Sequence, residues 1–238
     1  MQAPERSNRA YRNVARIVRP ILRMMTISDW RGAEHLHQGT GAIVAVNHMT
    51  NIDPLTSAYF LWANGVAPRI LAKDSLFRVP ILGWVLRATD QIPVSRGTTT
   101  AGRSLDAAAQ ALAEGETVAV FPEGTLTREP DLWPMSAKTG VARLALTTKA
   151  PVIPVAQWGA QRLLGRYRKL LKPIPRKTVT LVAGPPVDLS DLYDRPLDGP
   201  VLREATDRIM DAITHQLEAI RGESAPAERF VWRRGTTA

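Results

Sequence analysis

The chain has 238 residues, 45% of them hydrophobic, and a formal charge of +9; that length buries one full core and suits one domain with terminal additions better than two. It has no cysteine, which excludes disulfides, thiolate metal sites and a thiol nucleophile. The excess of Lys and Arg favours anionic partners such as acidic lipid, nucleic acid or phosphorylated substrates, and the distribution of the charge has to choose among them.

The first expected element is a helix over 9–25. At about 100° per residue, Arg9, Arg12, Arg16, Arg19 and Arg23 share one face, with Tyr11, Val14, Ile17, Val18, Ile21, Leu22 and Met25 opposite. Its apolar runs are too short to span a bilayer, and it lacks the long uncharged core of a signal peptide. Two readings stand: the helix lies in the membrane interface against anionic lipid, or it packs its apolar face on the domain with the arginines in water. Pro20 implies a kink in either case. His35 and His37 fall in a turn before the first strand.

Strands are expected near 41–46, 68–72, 91–94, 117–121, 152–156 and 178–183, with helices near 54–63, 101–114, 136–149 and 200–221. In the last of these, Leu202, Ala205, Ile209, Ile213, Leu217 and Ile220 fall at helical spacing and form a core stripe. The alternation indicates an α/β fold, a single domain with a largely parallel central sheet flanked by helices. The expected division is an N-terminal amphipathic, membrane-associating segment 1–30, a domain 31–222 and a tail 223–238. Between the last two strands Arg162, Arg166, Arg168, Lys169, Lys172, Arg176 and Lys177 are interleaved with Leu163, Leu164, Tyr167, Leu170 and Leu171. This cluster suits lipid headgroups, the phosphates of a donor, or a solvated face.

The richest stretch runs from Val46 to Pro54. The apolar run Ala42 to Val46 reads as a buried strand that delivers His48 to a sheet edge, five positions before Asp53. On one continuous helix that spacing would part the two side chains by about 140°. They meet only across a turn. Asp53-Pro54 is also a good helix start, with Asp as the N-cap. A second apolar strand ends in Phe121-Pro122-Glu123-Gly124-Thr125, and two strand ends with polar, turn-forming residues suggest a shared site.

These blocks resemble the glycerophospholipid acyltransferases, the PlsC-like family that includes 1-acylglycerol-3-phosphate acyltransferase. The likeness rests on Asn47-His48 with four residues before Asp53, Gly83 with Ile92 to Arg96, Phe121 to Thr125, and Val152 to Val155, in the family's order. Lys73 to Phe77 and Lys138 to Gly140 fit as well. Where many members continue Gly-Thr-Arg-Ser, this chain reads Gly124-Thr125-Leu126-Thr127-Arg128, so the arginine is displaced by two positions or missing.

The resemblance implies transfer of a fatty acyl chain from acyl-CoA or acyl carrier protein to a lysophospholipid acceptor, 1-acylglycerol-3-phosphate foremost and another lysophospholipid or a glycolipid as the alternative. It implies no cofactor and no metal, and a peripheral or monotopic place on the cytoplasmic face of the cell membrane. His48 is suited to act as base, with Asp53 orienting it. The resemblance also puts Arg96, Glu123, Gly124 and Thr125 in the acceptor site. There Arg96 suits a phosphate, Gly124 a close backbone approach, and Glu123 either a substrate hydroxyl or a structural ion pair; Lys73 and Arg128 are further phosphate candidates. A nucleic-acid-binding protein is disfavoured by the apolar residues opposite the arginines. A non-catalytic membrane module is disfavoured by the intact His48, Asp53 and Glu123. No phosphate-binding Gly-x4-Gly-Lys loop or Gly-x-Ser-x-Gly elbow occurs.

Overall fold

A computed structural model describes residues 4, 6–37, 39–95 and 101–232. In chain order its strands are β1 (Thr26–Arg31), β2 (Ile43–Val46), β3 (Pro68–Lys73), β4 (Ile92–Val94), β5 (Thr117–Val120), β6 (Val152–Trp158) and β7 (Lys177–Ala183). They form one sheet of order β1-β7-β6-β2-β5-β3-β4. Neighbours run parallel except β6 and β7, which are antiparallel. The helices are α1 (Arg9–Met25), α2 (Asp53–Ala63), α3 (Pro80–Ala88), α4 (Ala101–Ala113), α5 (Gly140–Thr148), α6 (Ala160–Leu163) and α7 (Gly199–Arg221).

All four residues of the central strand β2 are apolar and buried, as a strand covered on both faces requires. Its alternation divides two cores. Ile43 and Ala45 join Val118, Val120 and Val152 under α4, α5 and α7. Val44 and Val46 join Ala119, Ile153 and Val155 on the other face, against Phe60 and Leu61 of α2 and Leu163 of α6. The α7 stripe behaves as its spacing predicts, with Leu202, Ala205, Ile209, Ile213 and Leu217 all buried.

Several elements differ from the expectation, among them the short helix α6, which was not expected. Strand β1, with the half-exposed sequence TISDWR, lacks a buried alternation and is specified by pairing with β7 at the sheet edge; it crosses the boundary placed at residue 30, so the N-terminal segment is part of the sheet. Helix α3 lies where no helix was expected. It folds back on the 3-10 turn Asp74–Arg78, and Gly83 makes the approach possible, since a Cβ there would lie 2.1 Å from the Phe77 carbonyl oxygen. Helix α5 begins at Gly140 rather than 136; the segment before it is not helical, with the amides of Ser136 and Lys138 bonded to Phe230 O and Pro122 O. Helix α1 runs on through Pro20, with Asn8 capping it by accepting from the Tyr11 amide.

Candidate active site

The parallel neighbours β2 and β5 end at the same edge of the sheet, so Asn47-His48 and Phe121 to Thr125 emerge side by side. Asn47 is held first. Its Nδ2 donates to Gln157 O (3.1 Å), its Oδ1 accepts from Gln157 N (2.8 Å), and its carbonyl accepts from Gln157 Nε2 (3.0 Å). Thr56 Oγ1 donates to Gln157 Oε1 (3.0 Å), which joins α2 to the same buried cluster.

His48 follows, with Nδ1 3.0 Å from Asp53 Oδ2. The same oxygen accepts from the amides of Met49 (2.5 Å) and Thr50 (2.7 Å). Asp53 is therefore the first residue of α2 with its side chain turned back into the 48–50 turn. It does not cap the helix: Ile52 holds the cap position and makes no side-chain cap bond. An Nδ1–H donated to Asp53 leaves Nε2 to take a proton. The imidazole is 15% exposed, with the Phe121 ring 4.4 Å away, and Asp53 is fully buried. Burial pushes the Asp53 carboxyl up, opposed by its bonds to His48, Thr50 and Met49.

Glu123 lies inside the scaffold, 2% exposed. Its Oε1 accepts from His48 N (2.8 Å) and its Oε2 from Met135 N (3.2 Å). Among the described residues the carboxylate makes no ion pair. It holds the backbone of the base instead. Burial pushes its carboxyl from 4.5 up to about 8. A carboxyl raised in this way binds more protons folded than unfolded, so its stabilisation is complete below about pH 4.5 and is lost as pH rises towards about 8. Glu123→Gln, which cannot ionise, is expected to flatten the decline in thermal midpoint across that range. An unchanged decline would assign it to another group.

Gly124 adopts φ 68°, closing a turn from its amide to Phe121 O, and the Lys138 side chain packs against it. Thr125 is partly exposed beside it. Beyond, Thr127 N donates to His48 O (2.7 Å), so the chain returns over the base. Arg166 Nη1 holds this segment through Thr127 O (2.9 Å) and Glu129 O (2.7 Å). Arg221 lies between Trp133 and Trp158, 3.8 and 4.4 Å from their centroids, and ties the loop to β6. Arg128 is stacked 4.4 Å over Trp232 of the tail. Lys73 ends β3 and is exposed. Arg96 lies outside the described residues.

A family model described as Acyltransferase matches residues 28–158, more than half of the chain. The chain belongs to the acyltransferase family. It is 32% identical over 125 residues to the 1-acyl-sn-glycerol-3-phosphate acyltransferase of Borreliella burgdorferi, a match covering 52% of this chain and 48% of that protein. It is 28% identical over 162 residues to the N-acylphosphatidylethanolamine synthase of Arabidopsis thaliana, covering 63% and 57%. The chain thus spans about half the length of these curated relatives. Its fold is similar to the crystal structure of the 1-acyl-sn-glycerophosphate acyltransferase PlsC from Thermotoga maritima, with TM-score 0.67 at 22% identity, covering 91% of this chain and 81% of that one.

In this acyltransferase-family chain α1 has three faces rather than two. Ala15 and Leu22 are buried, and Tyr11 stacks on Trp62 at 5.0 Å, so one apolar face packs on the domain. Ile17, Ile21 and Met24 are exposed on a separate stripe. Arg9, Arg12, Arg16, Arg19 and Arg23 occupy the third, at about 100° per residue. The packing reading and the outward apolar stripe thus hold for different residues of one helix. No described helix is long and apolar enough to cross a membrane. Sequence reasoning missed Gln157, Thr56 and Arg166 as supports of the site. Gln157 alone carried a signal, as a polar side chain at the end of an apolar strand.

Proposed function

We propose that the chain moves a fatty acyl group from acyl-CoA or acyl carrier protein to the free hydroxyl of 1-acylglycerol-3-phosphate, giving phosphatidic acid at the cytoplasmic face of a membrane, with no cofactor. The observation that carries this is the His48–Asp53 pair at 3.0 Å, at a sheet edge beside the Phe121 to Thr125 turn. His48 Nε2 takes the acceptor's proton as its oxygen attacks the thioester carbonyl. Asp53 fixes the tautomer and offsets the imidazolium charge. The C–S bond then breaks, and the thiolate, whose thiol has a pKa of about 8.5, leaves and recovers the proton from His48. Arg96 and Lys73 are the proposed partners of the acceptor phosphate, with Gly124 and Thr125 beside the glycerol. The α1 arginines attract anionic headgroups while Ile17, Ile21 and Met24 enter the interface.

One observation favours a second acceptor class. Arg128, two positions beyond the place of the family's arginine, has one face of its guanidinium stacked on Trp232 of the tail, and this displacement supports another lysophospholipid or a glycolipid as the acceptor. Incubating the protein with labelled acyl-CoA and a panel of lysolipids, then identifying the acylated product, separates the two. Direct transfer requires both substrates bound together, so initial-rate lines at varied donor and acceptor are expected to intersect. Parallel lines, with an acyl group found on the denatured protein, would point to a covalent route.

A further inference from the structure

The connection from α6 to β7 carries none of the reacting groups proposed above, yet it is tied to the segment that holds them. At one end Arg166 holds the Thr127 segment that bonds His48. At the other, Arg176 Nη2 donates to the carbonyls of Arg23 (2.9 Å) and Thr26 (2.5 Å), where α1 ends. A bond from Lys172 N to Leu163 O (2.8 Å) closes the loop between them. Its apolar side chains point outward: Leu170 is 78% exposed and Ile174 87%, with Tyr167 and Leu171 also exposed. Arg168, Lys169 and Lys172 are exposed among them, and no acid occurs between Asp131 and Asp188.

Exposed apolar side chains on a surface loop mark a contact. The interleaved cations say what kind, because an uninterrupted basic stretch with apolar tips fits a surface that is anionic outside and hydrocarbon within. A donor's phosphates would engage the cations and leave Leu170 and Ile174 in water. We propose that residues 167–174 are a second lipid-contacting foot, in which Leu170 and Ile174 enter an anionic bilayer and Arg168, Lys169 and Lys172 bind its headgroups. The foot lies between Arg176, bonded to the end of α1, and Arg166, bonded to the segment that bonds His48. An acceptor leaving the bilayer there reaches the base along protein in contact with lipid. The inference rests on the membrane-surface reading above.

The test compares the full chain with its Leu170→Ser/Ile174→Ser variant on vesicles of phosphatidylcholine with and without phosphatidylglycerol. These side chains touch no core, so the fold is expected to persist. The variant is expected to partition about tenfold or more weakly onto the mixed vesicles, while its turnover of a short-chain, monomerically dissolved acceptor stays that of the parent. An Arg168→Gln/Lys169→Gln/Lys172→Gln variant is expected to lose the preference for phosphatidylglycerol. Equal partitioning of parent and serine variant, or a parent that ignores mixed vesicles, overturns the foot. So does a triple glutamine variant that binds vesicles normally but has a raised KM for acyl-CoA, which would assign the loop to the donor. A parent that binds vesicles yet acylates no lysolipid refutes the proposed activity and leaves the foot standing.

Discussion

Replacing His48 with Ala is expected to lower the transfer rate by at least about 10²- to 10⁴-fold, the contribution of a positioned general base, in a protein that still folds. The imidazole lies at the sheet edge, partly exposed, and Asp53 keeps its Met49 and Thr50 amide donors, so the loss of stability is expected to be about 1–3 kcal/mol. Label transfer from acyl-CoA and a circular-dichroism melt measure the two effects separately. A folded H48A protein with a near-normal rate would falsify the base role.

Asp53→Asn is expected to slow transfer by about 10³-fold or more, because the amide oxygen that must face the Met49 and Thr50 donors and His48 Nδ1 carries no charge to offset the imidazolium. The substitution keeps the size and much of the hydrogen bonding of a fully buried side chain, so the turn at 48–50 is expected to survive. Comparing the rate with the melt is decisive here, since Asp53 also has a structural reading. A D53N protein that is destabilised but turns over normally would reduce Asp53 to a former of the turn.

The sheet was legible in the sequence where burial imposes a pattern. Strands β2, β3, β5, β6 and β7 lie close to their expected places, because apolar runs bounded by turn residues have few other solutions. Edge strand β1 was not legible, since half of its surface is exposed and its pairing partner is some 150 residues away. Helix α3 was hidden for the opposite reason: Ile81, Leu82 and Trp84 face outward, so its apolar residues mark no inward stripe. In the site, His48 and Asp53 were legible because their spacing is local. The backbone bonds of Glu123 were not, because its partners are the main-chain amides of His48 and Met135, and backbone donors carry no sequence signature.

The buried Asn47–Gln157 exchange also bears on how the sheet finds its alignment. β2 is four residues long and meets β6 over four register pairs, a short ladder with near-equivalent apolar neighbours. A slip of one residue would turn every β2 side chain to the opposite face and carry the base with it. Apolar packing alone discriminates weakly among Ile, Val and Ala. The two amide side chains discriminate sharply, because each serves the other's main chain in a single alignment, and a slipped sheet would bury them unpaired at a cost of about 1–3 kcal/mol per group. Assembly errors are thereby penalised next to the residue whose position matters most, so chains that complete the central sheet arrive with His48 already facing Asp53.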